Sequence, residues 1–295
     1  VTVTGNSTNS TLDGPTVPCG CTSGTGRGNV WYRFTIPGEG LVYLDTAGSA
    51  YDTSIFLTNA SGVAVPAQAA SGNNNLGLCN DDSLCGTGGG FTSGLQSRTA
   101  GILAGGTYYV AVGGCGFGAF TLRLQFVPRS VGQTFVNARL SGTGNTGVQT
   151  LAATGSAAGT CGGSGGAENV AWYLTCGATE RQLFSVCRSD PGALFTRRPS
   201  NSSPTLFDPV LYVRSAQTGA QVACDDDASP PGDGAGVDCR GVIPIVPGAT
   251  VGAIDSIHRG TRLPNLNTPR GVGLIFVDAL GTSSGMRYNM RFEAP

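Results

Sequence analysis

One series of β-type anchors occurs twice in the chain, and this repetition constrains the fold more than any other feature. The series contains a Trp-Tyr pair, an Asp-led apolar run, a Cys with acidic residues after it, and a final alternating segment. In the first copy these are Trp31-Tyr32, 52–57, 79–82 and 120–124. In the second copy they are Trp172-Tyr173, 208–213, 224–227 and 288–292. Anchors that recur in one order predict two tandem copies of one domain.

Composition indicates the class of each copy. The 295 residues include 48 glycines and 16 prolines, and only 12% are charged. This composition favours short strands joined by turns over helices. We therefore predict an all-β protein of two tandem, disulfide-bonded, jelly-roll-like β-sandwich domains. A break at 128–132 places the first domain at 1–130 and the second at 131–295, and each is large enough to bury a core.

Alternating apolar segments between glycine-rich turns give the expected strands. In the first domain and across the boundary they are 30–36, 41–45, 53–59, 98–103, 107–112, 119–127 and 133–140. In the second domain they are 170–175, 182–187, 210–214, 241–245, 271–277 and 287–292. Two insertions, 190–204 with Arg197-Arg198 and 255–268 with His258, distinguish the second copy. Loops of this kind are where a duplicated fold acquires a new contact surface.

The ten cysteines and single histidine indicate disulfides formed in an oxidising compartment, because no zinc-finger spacing is present. Three bridges would close short segments, and two of them would enclose acidic loops: Cys79–Cys85, Cys224–Cys239 and Cys176–Cys187. The partners of four cysteines stay open: Cys19, Cys21, Cys115 and Cys161. Each half holds five cysteines, so complete pairing requires a bridge between halves or between molecules, and free thiols are the alternative.

The charge pattern excludes several functions. All 17 basic residues are arginine, which excludes mechanisms that need a lysine, and the net charge is -1. The arginines are scattered, so we expect no nucleic-acid partner. No apolar run approaches the roughly 20 residues of a membrane span. The start at Val1 indicates a mature product whose leader was removed, and we expect a protein that is secreted or held at the cell surface.

Acidic residues after predicted strands suggest calcium, which binds hard oxygen ligands on loops. The candidate ligands of the first copy are Asp52, Asn80, Asp81 and Asp82. Those of the second copy are Asp208, Asp225, Asp226 and Asp227. The alternative is that these side chains cap turns and accept hydrogen bonds from backbone amides, as Asp commonly does in loops. No complete ligand loop of the EF-hand kind is present.

Two catalytic patterns match the sequence but lack the structural context they need. Residues 281–285 match a nucleophile elbow, yet a strand is predicted after them and no histidine follows. Residues 142–147 match a dinucleotide fingerprint without a helix to follow. Trp31-Tyr32 and Trp172-Tyr173 could form sugar-stacking platforms, but their position in alternating strands favours a role in the core. We therefore predict no catalytic residues.

The anchors, in their order, resemble the bacterial pre-peptidase C-terminal domain family. The resemblance rests on 31–34, on the Asp-led strands at Asp52 and Asp208, on Asn80-Asp81-Asp82, and on the Gly-Thr-Tyr-Tyr-Val segment at 106–110. It covers most of 28–127 and, more loosely, 168–292. It implies secreted, non-catalytic sandwich modules of the kind that accompany enzymes, some of which bind calcium or matrix polymers. The second copy departs from the pattern at 274–277, where Leu-Ile-Phe-Val replaces Tyr-Tyr-Val.

Two functions follow as hypotheses. The first is a non-catalytic extracellular structural or adhesive protein that self-associates into a fibre or coat. The second is a calcium-dependent module that binds a polysaccharide or protein matrix; glycoside hydrolysis by a carboxylate pair ranks below both. For assembly we predict an N-terminal arm, Val1, Thr2, Val3 and Thr4, that adds a strand to a neighbouring molecule. The alternative is a first strand folded back on its own domain.

Overall fold

The computed structural model describes residues 1–11, 28–66, 78–81, 96–129, 134–151, 159–161, 168–176, 181–186, 194–196, 209–225, 262–266, 268–279 and 287–294. These residues form strands and turns without any helix, which confirms the all-β prediction. Contacts divide the chain into two compact units. The first comprises Val1–Arg129, Asn137–Arg139 and Cys176–Ala178, and the second comprises the rest. That the units are copies of one domain stays a prediction.

The first unit contains eight described strands in two antiparallel sheets. They are β1 (Thr2–Asn6), β2 (Val30–Ile36), β3 (Gly40–Asp45), β4 (Thr53–Asn59), β5 (Cys79–Asn80), β6 (Arg98–Leu103), β7 (Gly106–Gly114) and β8 (Ala119–Pro128). One sheet has the order β1-β8-β3-β6 and the other β2-β7-β4-β5. Apolar side chains from both sheets form one buried core, so the unit is a β-sandwich.

The second unit contains eleven described strands and the ends of a twelfth, β9, whose residues Asn137–Arg139 are grouped with the first unit. They are β9 (Thr134–Leu140), β10 (Gly142–Asn145), β11 (Gln149–Thr150), β12 (Asn169–Thr175), β13 (Gln182–Ser185), β14 (Leu194–Thr196), β15 (Pro209–Ser215), β16 (Gln221–Asp225), β17 (Arg262–Leu266), β18 (Gly271–Ala279), β19 (Arg287–Asn289) and β20 (Arg291–Ala294). They form sheets of order β16-β15-β18-β12-β9, β10-β20-β13-β17 and β11-β19-β14. One core joins side chains of all three sheets.

The Trp-Tyr pairs occupy corresponding places in the two units. Tyr32 packs against the core of the first unit and Tyr173 lies within the core of the second. Because side chains alternate along a strand, Trp31 and Trp172 lie on the opposite faces of their sheets. Trp31 contacts Phe56 edge-on there, with ring centroids 6.4 Å apart. Trp172 and Tyr173 are fully buried, which confirms the core prediction for the second copy. Trp31 and Tyr32 are both half-buried, and each packs against a buried apolar cluster on its own face of the sheet.

Three segments differ from the predicted strands. The single strand expected at 287–292 is divided at Met290. The Met290 amide donates to the Thr146 hydroxyl, and the Met290 carbonyl accepts from the Thr146 amide, so neither group bonds a neighbouring strand. As a result, β19 and β20 belong to different sheets. The insertion 190–204 contains β14, and the insertion 255–268 contains β17. The strand predicted at 241–245, Arg197-Arg198 and His258 lie outside the described residues.

Candidate functional site

Two acidic candidates of the first copy, Asp52 and Asp81, converge at one end of the sheet β2-β7-β4-β5. Asp52 directly precedes β4, Asp81 directly follows β5, and Cys115 directly follows β7. Their possible ligand atoms lie within 4.8 Å of one another. Antiparallel pairing explains this arrangement, because the start of β4 and the ends of β5 and β7 meet at the same edge.

Close backbone approach holds this end of the sheet together. The amide of Cys115 donates to the carbonyl of Asp52 at 2.9 Å. Gly114 makes this approach possible, since its φ is +146° and a Cβ there would lie 1.9 Å from the Asp52 carbonyl oxygen. The Ser97 hydroxyl donates to the carbonyl of Asp81 at 2.7 Å and also to that of Thr53. The carboxylates therefore stand on a tightly connected frame.

The chemistry of the cluster fits calcium only in part. Asp52 and Asp81 supply carboxylate oxygens, which are the ligands that calcium prefers. Cys115 is disulfide-bonded, so its sulfur is no thiolate ligand. The Asn80 amide donates to the carbonyl of Arg98, which gives this side chain a structural role between strands. Among the described residues, the carboxylates of Asp52 and Asp81 are thus the candidate side-chain ligands for calcium at this end of the sheet.

The remaining predicted ligands are not brought together within the described residues. Asp82, Asp208, Asp226 and Asp227 lie outside those residues. Asp225 is described and ends β16, where it pairs in register with Leu211. The calcium prediction for the second copy therefore stays a prediction.

The disulfide prediction needs one correction. Cys224 pairs with Cys161, with Cα atoms 5.7 Å apart, and not with Cys239. Segment 159–161 packs on β16, and the Thr160 amide donates to the side-chain oxygen of Gln221 at 3.0 Å. This packing brings the two sulfurs together, whereas closeness in sequence suggested Cys239.

Three further cysteines, Cys79, Cys115 and Cys176, are also disulfide-bonded, and the described residues include no free cysteine. Cys85, Cys187 and Cys239 lie outside the described residues, as do Cys19 and Cys21. The pairs Cys79–Cys85 and Cys176–Cys187 stay predictions.

The predicted assembly arm is a strand of its own sheet. Residues of β1 pair with β8 from Thr2 opposite Arg123 to Asn6 opposite Ala119. Val1 and Leu124 exchange both backbone hydrogen bonds, at 2.7 and 2.8 Å. The arm interpretation of Val1 to Thr4 is therefore wrong for this chain, and the folded-back alternative describes it. Val3 packs against the core, and this contact fixes the strand in place.

Sequence reasoning missed a buried charged row on the sheet β1-β8-β3-β6. Asp45 pairs in register with Arg98 on β6 and with Arg123 on β8. A carboxylate oxygen of Asp45 lies 3.8 Å from a guanidinium nitrogen of Arg123. Burial, followed by the nearby Asp45 carboxylate, raises the pKa of Tyr43 well above its usual range. These residues are far apart in sequence, so only strand register could have revealed the row.

A second buried polar group lies on the five-stranded sheet, on the face opposite the core. The Tyr212 hydroxyl donates to the fully buried Glu168 carboxylate at 2.7 Å. Burial, then this hydrogen bond, raises the pKa of Tyr212. The Arg214 guanidinium lies 5.3 Å from the Tyr212 ring centre and 5.5 Å from that of Phe276. These contacts place one of the four Glu residues in the interior.

Comparisons with known proteins give no family. No family model matches the chain, and no curated protein matches it. No helix among the described residues is long and apolar enough to cross a membrane. The Cys161–Cys224 bridge is compatible with an extracellular protein. The resemblance to pre-peptidase C-terminal domains therefore stays an expectation, carried by the residues quoted for it.

Proposed function

We propose that the protein is a non-catalytic structural or adhesive component of the cell exterior that self-associates through the edge of its first sheet. The observation that carries this proposal is the outward backbone of β1. Among the described residues it is an edge strand, because β8 is the one described strand that pairs with it. An edge strand presents unpaired amides and carbonyls on which another chain can add a strand.

The hydrogen-bond pattern identifies the groups involved. Val1 and Leu124 form a hydrogen-bonded pair, and such pairs alternate along antiparallel strands. The backbone groups of Val3 and Gly5 therefore face β8, and those of Thr2, Thr4 and Asn6 point away from it. All three outward residues have exposed side chains. A strand of a second molecule would meet three donors and three acceptors along this edge.

A proline at one outward position tests the proposal. The Thr4→Pro variant removes an outward amide but no bond to β8, and edge strands tolerate proline. Proline also favours an extended backbone at the residue before it, and Val3 is already extended in β1. We expect the wild type to form oligomers or filaments in sedimentation and negative-stain microscopy, and Thr4→Pro to remain monomeric.

The matched control is Thr4→Ala, which shortens the same side chain and keeps the amide. It should associate like the wild type, and all three proteins should melt at similar temperatures. A wild type that stays monomeric at high concentration, or a Thr4→Pro variant that associates normally, would contradict the proposal.

A second candidate function is a calcium-dependent binding module. The meeting of Asp52 and Asp81 at one sheet end favours it, because adjacent carboxylates repel one another unless a cation or a donor lies between them. Calcium bound to the folded state at about 100 times its Kd would add about 2.7 kcal/mol to the free energy of unfolding.

Thermal unfolding in calcium and in chelator tests this second function. We expect calcium to raise the melting temperature of the wild type and to have no effect on an Asp52→Asn, Asp81→Asn double variant. Glu39→Gln is the control, because Glu39 is an exposed acid paired with Arg129 away from the cluster. An identical melting temperature in calcium and chelator for the wild type removes the calcium function.

A further inference from the structure

The outer face of the sheet β2-β7-β4-β5, which lies opposite the core, carries three rows of side chains across neighbouring strands. The first row is Trp31, Ala111 and Phe56; the second is Arg33, Tyr109 and Thr58; the third is Thr35 and Thr107. The residues of each row are directly paired on neighbouring strands. Because side chains alternate between the two faces along a strand, all of these residues lie on the face opposite the core. Aromatic, cationic and hydroxyl groups thus occupy adjacent positions on this face, where Thr58 is buried as well.

Exposure changes along this face. Phe56 and Ala111 are 2% and 1% exposed, and they support the half-buried Trp31. Tyr109 is also half-buried, whereas Arg33 and Thr35 are exposed. The edge-on contact with Phe56, at an interplanar angle of 72°, fixes the indole of Trp31. A half-buried aromatic side chain therefore lies one row away from an exposed guanidinium.

This combination matches the chemistry of a sugar chain. The apolar face of a sugar ring packs on an aromatic ring, and hydroxyl groups complete the contact with hydrogen bonds. The Thr35 and Thr107 hydroxyls lie 3.1 Å apart, so they are mutually bonded and offer further donors and acceptors at the surface. Trp31, Tyr109 and these hydroxyls lie on three consecutive rows, which suits an extended polymer better than a compact ligand.

The charge on this face selects among polymers. Arg33 is its single charged side chain within the three rows, and it forms no ion pair with the described residues. A guanidinium binds carboxylate or sulfate through paired, charge-assisted hydrogen bonds. We propose that the face formed by Trp31, Arg33, Tyr109, Thr35 and Thr107 binds an acidic polysaccharide. This surface is distinct from the outward backbone of β1, so the two proposals stand or fall separately.

Binding to three soluble polymers tests the proposal. Alginate supplies carboxylates, dextran sulfate supplies sulfates, and dextran is neutral. We expect the wild type to retard on affinity gels with at least one acidic polymer and not with dextran. The Arg33→Gln variant should weaken that binding about tenfold, the effect of losing a hydrogen bond to a charged group. The polymer that binds identifies the anionic group.

Matched variants separate specific contact from general charge. Arg287→Gln removes an exposed arginine from β19 and should leave binding unchanged. Arg33→Lys keeps the charge but loses the paired hydrogen bonds, so it should bind more weakly than the wild type and more tightly than Arg33→Gln. Tyr109→Ala should also weaken binding. Melting temperatures confirm folding of each variant. Absence of binding to both acidic polymers, equal binding to dextran, or equal effects of the Arg33 and Arg287 substitutions would overturn the proposal.

Discussion

At the scale of single residues, two buried tyrosine hydroxyls have hydrogen-bond partners of different kinds, a carboxylate in one case and a neutral amide in the other. Glu168 is fully buried and accepts the Tyr212 hydroxyl at 2.7 Å. Tyr288 is also buried, but it accepts a neutral bond from the Asn169 amide at 3.2 Å. The same amide group also donates to the carbonyl of Thr150 at 2.9 Å. Loss of a donor should matter more to a carboxylate than loss of one acceptor matters to an amide.

This difference predicts unequal effects of two similar substitutions. Tyr212→Phe should lower the free energy of unfolding by about 1 to 3 kcal/mol, because a buried carboxylate loses a hydrogen bond. Tyr288→Phe, the matched control, should lower the free energy of unfolding by less, about 0.5 to 1.5 kcal/mol. Denaturant unfolding of both variants measures the difference. A Tyr288 variant that is the less stable of the two would contradict this account.

At the scale of elements, a tyrosine covers a glycine across neighbouring strands. Tyr173 on β12 lies opposite Gly273 on β18. A Cβ on Gly273 would lie 2.2 Å from the Tyr173 ring, whose hydroxyl is bonded to Thr268 at 2.6 Å. The ring cannot move away without breaking that buried bond. Gly273 is therefore required for the close packing of this strand pair.

Gly273→Ala should destabilise the protein by about 1 to 3 kcal/mol through overpacking. Gly38→Ala is the control, because a Cβ at Gly38 would meet nothing within 4 Å. Thermal unfolding should show a lower melting temperature for the first variant alone. Equal melting of the two variants would mean that the Tyr173 ring adapts more freely than its hydrogen bond suggests.

The disulfide at β16 leads to another prediction at this scale. Cys161 and Cys224 are 63 residues apart, and a crosslink over such a loop stabilises by about 4 kcal/mol in the chain-entropy account. The Cys161→Ser, Cys224→Ser double variant should lose stability of this order in denaturant unfolding. Peptide mapping of the wild type should recover the Cys161–Cys224 pair. Recovery of Cys224 with Cys239 would refute this connection.

Long strands could be predicted from the sequence, whereas pairing partners could not. The bounds of β2, β4 and β6 agree with the predicted segments, because each is an alternating or apolar run that ends at a turn. The strands β5, β10, β11 and β14 have two to four residues, and neighbouring strands define them more than their own sequence does. For the same reason the acidic cluster was predicted in part and the Cys161 pairing was not.

At the scale of the whole molecule, the two units have the same strand order in two of their sheets. The order β2-β7-β4-β5 corresponds to β12-β18-β15-β16, and β1-β8-β3-β6 corresponds to β10-β20-β13-β17. Both alignments follow the repeated anchors, with the Trp-Tyr strand beside the late apolar strand. The second unit adds β9 next to β12. This correspondence supports the prediction of two copies of one domain, and β9 extends the sheet at the edge that corresponds to β2.

Buried tyrosines predict how the whole molecule responds to alkali. Burial raises the pKa values of Tyr43, Tyr173, Tyr212 and Tyr288 above 10, the value expected in the unfolded chain. These residues keep their protons in the folded state while the unfolded state loses them. The stability they contribute is therefore complete below about pH 10 and is lost as pH rises toward the folded-state pKa values.

The free energy of unfolding should fall above about pH 10 by about 1.4 kcal/mol per pH unit for each of these tyrosines. Denaturant unfolding at several alkaline pH values measures the slope, and phenolate absorbance reports ionisation. Tyr212→Phe should reduce the slope by the contribution of one proton. If all eight tyrosines ionised near pH 10 while the protein remained folded, the buried hydroxyls would be open to solvent. Unfolding that accompanies their ionisation instead would show that burial keeps these hydroxyls protonated in the folded state.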